Sequence, residues 1–198
     1  ELLSRVRAAL IAAYELDGDE WVAVTMGGSG QTALEASMAS LLPRDGRLLA
    51  VANGSNGEQI GRIAGIHGMD RTDLTHDWMD AVDYRRVEEA LAEGGYTHVA
   101  AVHHETTTGR LNDAARLADL CERYGVQLLL DAAASFGAEE IPFASTALAA
   151  CSATADACLH GIPGLCFVVA RRSALAAAVS PPRSLGLHLP GWLEFPGQ

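Results

Sequence analysis

The strongest constraint on the fold is a short apolar run that ends in an acid. Residues 126–130 follow a helix stop at Tyr124-Gly125, and Leu128-Leu129-Leu130 lead directly into Asp131. A run this short and this uniformly apolar reads as a strand buried on both faces, as in parallel sheets covered by helices. Asp131 then stands at the strand's carboxyl end, where open α/β sheets place their ligands. A carboxylate beside such a strand is costly unless it has a cationic or donor partner. Capping a turn is the simpler role for a single Asp, and the motifs around it argue against stopping there.

The same alternation recurs along the chain. Residues 2–16 have helical spacing, with Leu2, Val6, Ala9, Leu10 and Ala13 on one face; 21–25 read as a strand and 31–42 as a helix stopped by Pro43. A strand at 48–51, a turn at 53–57 and a helix at 58–66 come next. They are followed by a weak strand at 70–74, a helix at 84–92, a strand at 97–102 and a helix at 112–124. Beyond Asp131, strands at 148–152 and 165–170 and a helix at 173–179 are expected, with an irregular tail after Pro181-Pro182. Short apolar strands alternating with helices of this length predict an α/β fold, a three-layer α/β/α arrangement with a mostly parallel sheet. We expect one large domain over residues 1–180, with 181–198 as a linker or truncated C-terminal region.

The net charge of −11 excludes a broad nucleic-acid or anionic-membrane surface. A local anion site would instead be built from backbone amides and a few arginines. No apolar run reaches membrane-spanning length, and the start Glu-Leu-Leu-Ser-Arg lacks the layout of a signal peptide. Cys121, Cys151, Cys158 and Cys166 form no CxxC pair and no zinc spacing, so reduced thiols of a cytoplasmic protein, with no metal, are expected. The first residue is Glu1 and not Met, as expected of a fragment or trimmed sequence. All 14 basic residues are arginine; there is no lysine.

Two further segments stand at strand ends. Gly27-Gly28-Ser29-Gly30-Gln31-Thr32 joins a strand to a helix, and a helix start with free N–H groups suits a phosphate. It lacks the Walker lysine and fails the dinucleotide fingerprint at the third glycine. His103-His104-Glu105-Thr106-Thr107-Thr108-Gly109 brings hydroxyls to another carboxyl end. Adjacent His103 and His104 point opposite ways from a strand, so they make no metal pair.

With Ala155-Asp156-Ala157-Cys158-Leu159-His160-Gly161-Ile162-Pro163-Gly164, these segments resemble the class V aminotransferases of fold type I, which use pyridoxal phosphate. The Glu-Thr-Thr-Thr-Gly run and the Cys-Leu-x-Gly-x-Pro-Gly run are most similar to the 2-aminoethylphosphonate–pyruvate transaminase subgroup. The resemblance implies the large domain of such an enzyme, without its C-terminal small domain. It implies a homodimer that moves an amino group from 2-aminoethylphosphonate or a similar amine to a 2-oxo acid. It implies that Gly28, Ser29, Gly30 and Gln31 hold the cofactor phosphate and that Thr106 and Ser135 lie at the cofactor. It also implies that Asp131 pairs with the pyridinium nitrogen.

Two positions depart from the family pattern. Asn56 stands where an aromatic commonly stacks on the ring, and Ala157 stands where the resemblance puts the Schiff-base lysine. A methyl group neither attaches a cofactor nor carries a proton, so the chain as written is expected to be inactive. Pyridoxal 5'-phosphate would then be held non-covalently or as an external aldimine. An engineered trap and a natural, repurposed or non-catalytic binding protein are both open origins. A lyase on the same fold is a third reading, because fold does not fix reaction.

Overall fold

The computed structural model describes residues 2–194. Helix α1 (Leu2–Ala12) leads to strand β1 (Trp21–Gly27), α2 (Gly30–Leu41), β2 (Arg47–Ala52), α3 (Ser55–Ile66), β3 (Asp70–Thr75) and α4 (Tyr84–Glu93). Strand β4 (His98–Val102) runs into a small hairpin of β5 (His104–Glu105) and β6 (Arg110–Leu111), followed by α5 (Ala114–Tyr124) and β7 (Gln127–Asp131). Strands β8 (Leu148–Thr154) and β9 (Leu165–Arg171) and the short helices α6 (Arg172–Ala176) and α7 (Leu189–Glu194) complete the described chain.

Seven strands make one sheet in the order β1-β9-β8-β7-β4-β2-β3. The acid-bearing strand β7 lies near the middle, parallel to β4 on one side and β8 on the other. Strand β9 runs antiparallel to both its neighbours. The fold is therefore α/β with a mostly parallel sheet.

Successive side chains leave a strand on opposite faces, and the burial follows that rule. Leu49, Val51, Leu128 and Leu130 enter one core with Leu10 of α1, Val87 of α4 and Leu117 of α5. Leu48, Ala50 and Leu129 enter the other with Leu34 of α2, Ile60 of α3 and Leu189 of α7. Helices thus cover both faces, which is why β7 can be apolar throughout. Helix α5 carries the cap expected of an Asp, with the Asp113 carboxylate accepting the Arg116 N–H at 2.9 Å, and Gly125 closes it at φ 65°.

Four local expectations are corrected. Helix α1 ends at Ala12, and α6 is shorter than the helix expected at 173–179. Helix α3 begins at Ser55, so Asn56 sits in a helical first turn and not in a loop; the cap that allows this comes from a distant residue, described below. The tail after Pro181-Pro182 is not wholly irregular. Leu189 is fully buried and its N–H donates to Ser40 Oγ at 3.0 Å, while the Arg183 guanidinium donates to the carbonyls of Leu42 and Pro43 at the end of α2. Arg183 is thereby engaged with carbonyl oxygens of this chain.

Candidate cofactor site

The site lies where β1, β7, β4 and β8 end. At the end of β1, Gly28 has φ 152°, a conformation that L side chains rarely adopt, and a Cβ there would fall 2.6 Å from Thr32 Oγ1. A Cβ on Gly30 would fall 2.7 Å from the Ala133 methyl. Glycine at 30 therefore lets the start of α2 close onto the turn that follows Asp131. The Ser29 N–H donates to Thr32 Oγ1 at 3.2 Å and the Gly28 N–H to the Gly164 carbonyl at 2.9 Å, which ties the loop to the segment before β9. Ser29 and Gln31 are exposed at this rim.

Asp131 is 8% exposed, and its carboxylate accepts the Ala133 N–H at 3.0 Å. Among the described residues no ion pair reaches it. Burial raises its pKa from 3.8 to about 6; the Ala133 hydrogen bond opposes the rise and the charge of Glu105 adds to it. The Cys151 thiol beside it is pushed well up by burial and by the Asp131 charge. An acid in this state is poorly satisfied within its own chain.

Next to it, the His103 N–H donates to the Asp131 carbonyl at 2.8 Å, and the His103 ring Nδ1 lies 3.0 Å from Ser135 Oγ. Burial lowers the His103 pKa. Ser135 is itself fully buried, so its hydroxyl is committed to His103 beneath the site rim. The His104 ring Nδ1 instead meets the Ala134 carbonyl, 3.1 Å away. His103 lies in the bend between β4 and β5, and the two rings reach neighbouring residues of the turn after Asp131.

Thr106 is exposed on the hairpin and accepts a hydrogen bond from Asn56 Nδ2 at 3.0 Å. At the end of β8, Thr154 Oγ1 donates to Asp156 Oδ1 at 2.5 Å, and the Ala157 carbonyl accepts the His160 N–H at 3.1 Å. Cys158 Sγ donates to the Ala134 carbonyl at 3.4 Å, which fastens this turn to the segment after Asp131. Ala157 is half-buried there, and Asp156 is exposed. The structure thus joins the glycine loop, the Asp131 turn and the Ala157 turn, and separately joins Asn56 to Thr106.

The class V aminotransferase profile matches residues 6–188. The chain belongs to the class V aminotransferases. Members of this family are pyridoxal-phosphate-dependent. The chain is 40% identical over 191 residues to 2-aminoethylphosphonate–pyruvate transaminase 1 of Burkholderia lata, covering 95% of this chain and 52% of that protein. It is 32% identical over 189 residues to the corresponding transaminase of Phocaeicola vulgatus, covering 95% and 52%. It thus spans about half the length of the curated relatives it matches. In structure it is similar to a subgroup IV aspartate aminotransferase from Thermus thermophilus, with TM-score 0.83 and 26% identity over 94% of this chain and 51% of that one. Pyridoxamine–pyruvate aminotransferase from Mesorhizobium loti has the same fold, with TM-score 0.85, 24% identity and coverage of 95% and 48%.

Sequence reasoning missed two features of this region. Asn53 and Asn112 exchange side-chain hydrogen bonds at 2.8 and 3.1 Å, locking the end of β2 to the segment after the hairpin. Glu105, read only as part of a motif, is completely buried. An acid between His104 and three threonines was the available signal.

Proposed function

We propose that this chain is the cofactor-binding half of a protein of the 2-aminoethylphosphonate–pyruvate transaminase type, and that it binds pyridoxal phosphate without covalent attachment. The observation that carries the reading is Asp131: a buried carboxylate with one backbone donor and, among the described residues, no ion pair, which a ring N–H⁺ would satisfy. The phosphate would take the start of α2, where Gly28 and Gly30 leave no room for a Cβ and Ser29 and Gln31 are exposed. Thr106 would meet the ring hydroxyl, with Asn56 behind it. Ser135 would support the site through His103. When bound, the cofactor supplies a cationic ring that accepts the electron pair released at the amine's reacting carbon.

The substrates proposed are 2-aminoethylphosphonate or a similar amine and a 2-oxo acid, on a cytoplasmic homodimer. The exposed apolar side chains Ile162 and Leu185 are surface of the kind an association would cover. With Ala157 at the family's lysine position and no lysine in the chain, nothing here attaches the cofactor or moves the amine's proton. Turnover by this chain should therefore be negligible.

A second reading, a lysine-less protein for another ligand, is favoured by Asp156. Its partner Thr154 lies 3.9 Å from where a Gly30 Cβ would stand, so a carboxylate shares the neighbourhood of the anion cradle. The test is equilibrium binding of pyridoxal phosphate and of unphosphorylated pyridoxal, followed by borohydride reduction and intact-mass measurement. Saturable, phosphate-dependent binding with no added protein mass is expected. Equal affinity for both compounds, or a covalent adduct, would overturn the reading.

A further inference from the structure

Glu105 has no role in the reading above, yet it is the most deeply buried acid among the described residues. Its Oε2 accepts the Gly57 N–H at 2.9 Å, and its Oε1 accepts the Thr107 hydroxyl at 2.6 Å, the Thr107 N–H at 3.2 Å and the Asn56 N–H at 3.4 Å. Thr107 Oγ1 in turn accepts the Ser55 N–H at 3.1 Å. The carboxylate therefore caps α3 from 48 positions away, because the residue at that cap, Gly54, has no side chain to offer. A Cβ on Gly54 would fall 2.5 Å from the Glu105 carboxyl carbon, so the absent side chain is also what admits the acid. The start of a helix, with its free N–H groups, is a favourable place for a carboxylate acceptor.

We propose that Glu105 is a positioning residue for the cofactor ring: it clamps the first turn of α3 to the hairpin so that Asn56 orients the Thr106 hydroxyl toward the ring. This rests on the cofactor reading above. The Asn56 amide donates to Thr106 Oγ1 at 3.0 Å, which occupies one lone pair and leaves the hydroxyl proton to be given outward. A polar residue at 56 thereby fixes the direction of a donor, where an aromatic would only stack. The clamp spans adjoining residues, because Glu105 and Thr107 flank Thr106 and the three N–H groups of Ser55, Asn56 and Gly57 surround Asn56. Losing the carboxylate frees both partners together.

The same acid lies within electrostatic reach of Asp131. The groups that bear on the Asp131 carboxylate are Glu105 from the hairpin and the Cys151 thiol from β8, while His103, just after β4, bonds to its main chain. Removing the Glu105 charge should make Asp131 a stronger acid, an effect that a merely space-filling Glu105 would not produce.

Glu105→Gln keeps the volume and sets an amide against donors. In the apoprotein, NMR should show displaced Asn56 side-chain amide signals and an Asp131 carboxyl titration midpoint below that of the wild type. Pyridoxal phosphate affinity should fall roughly tenfold, the equivalent of one charged hydrogen bond. The NMR signals need no cofactor. Absence of pyridoxal phosphate binding by the wild type would therefore end the cofactor reading, while unchanged Asn56 signals and an unchanged Asp131 midpoint in folded Glu105→Gln would overturn the clamp. Should Glu105→Gln not fold, Thr107→Val leaves the carboxylate in place and removes only the hydroxyl that joins it to the Ser55 N–H. It should displace the same Asn56 signals and weaken binding by a smaller factor, and no change in either would overturn the proposal.

Discussion

Replacing Asp131 by Asn should make the apoprotein more stable and a poorer cofactor binder. A group whose folded pKa is raised favours the folded state while protonated, and that advantage is lost as pH rises through the folded value. For Asp131 the window runs from 3.8, its ordinary value, up to about 6, and above it the folded protein carries a buried charge. At about 1.4 kcal/mol per tenfold change in proton affinity, the cost above that window is about 3 kcal/mol. The burial is nearly complete, so solvent screening removes little of it. Asn keeps an oxygen for the Ala133 N–H and removes the charge. Urea unfolding at pH 8, 6 and 4 should show the variant ahead by about 1–3 kcal/mol at pH 8, with the gap closing toward pH 4, where the folded wild type is protonated. Pyridoxal phosphate should stabilise the wild type more than the variant, because the ring N–H⁺ has lost its carboxylate. A variant that is less stable than the wild type by the same amount at every pH would refute the reasoning and reduce Asp131 to a turn cap worth about 0.5–2 kcal/mol.

Ala157→Lys should give a visible absorbance with pyridoxal phosphate and a reducible covalent adduct; a colourless, adduct-free protein would mean that residue 157 is not at the cofactor. Gly30→Ala should weaken phosphate-dependent binding and cost about 1–3 kcal/mol, read by titration and denaturation, since its methyl meets the Ala133 methyl at 2.7 Å. Burial lowers His98 from 6.5 to about 4, so the stability its neutral form supports is present above pH 6.5 and is lost as pH falls toward 4. His98→Gln should therefore flatten the loss of stability on acidification across that interval, as followed by unfolding curves.

Most of the layer architecture was legible because it rests on local patterns. The apolar triplet before Asp131, the glycine stops after helices and the alternation of element lengths each have a short-range cause. What could not be read has a long-range cause. Helix α3 starts at Ser55 only because Glu105, on the far side of two strands and two helices in sequence, completes its first turn. Helix α7 contains Pro190 and Gly191, which break any helical period. It forms because Leu189 and the Ser40 hydroxyl find each other across the chain. Within the site, the glycine loop and Asp131 stood out as residue types in fixed places. The pairing of Asn56 with Thr106 and the sealing of Ser135 against His103 did not, since both depend on which way a side chain turns.

The sheet order has a consequence for how the site comes into being. Strand β1, which carries the glycine loop, pairs only with β9, and Trp21 lies opposite Arg171. During synthesis β1 therefore waits, made but unpaired, while every strand between them is threaded and set. Contacts this distant in sequence are slow to close. A nascent chain that stops short of residue 165 would already hold Asp131 between β4 and β8, while β1 and the glycine loop at its end still lacked their strand partner. Any ligand that needs both the glycine loop and Asp131 would thus be unable to template the early stages of folding and could reward only the last one.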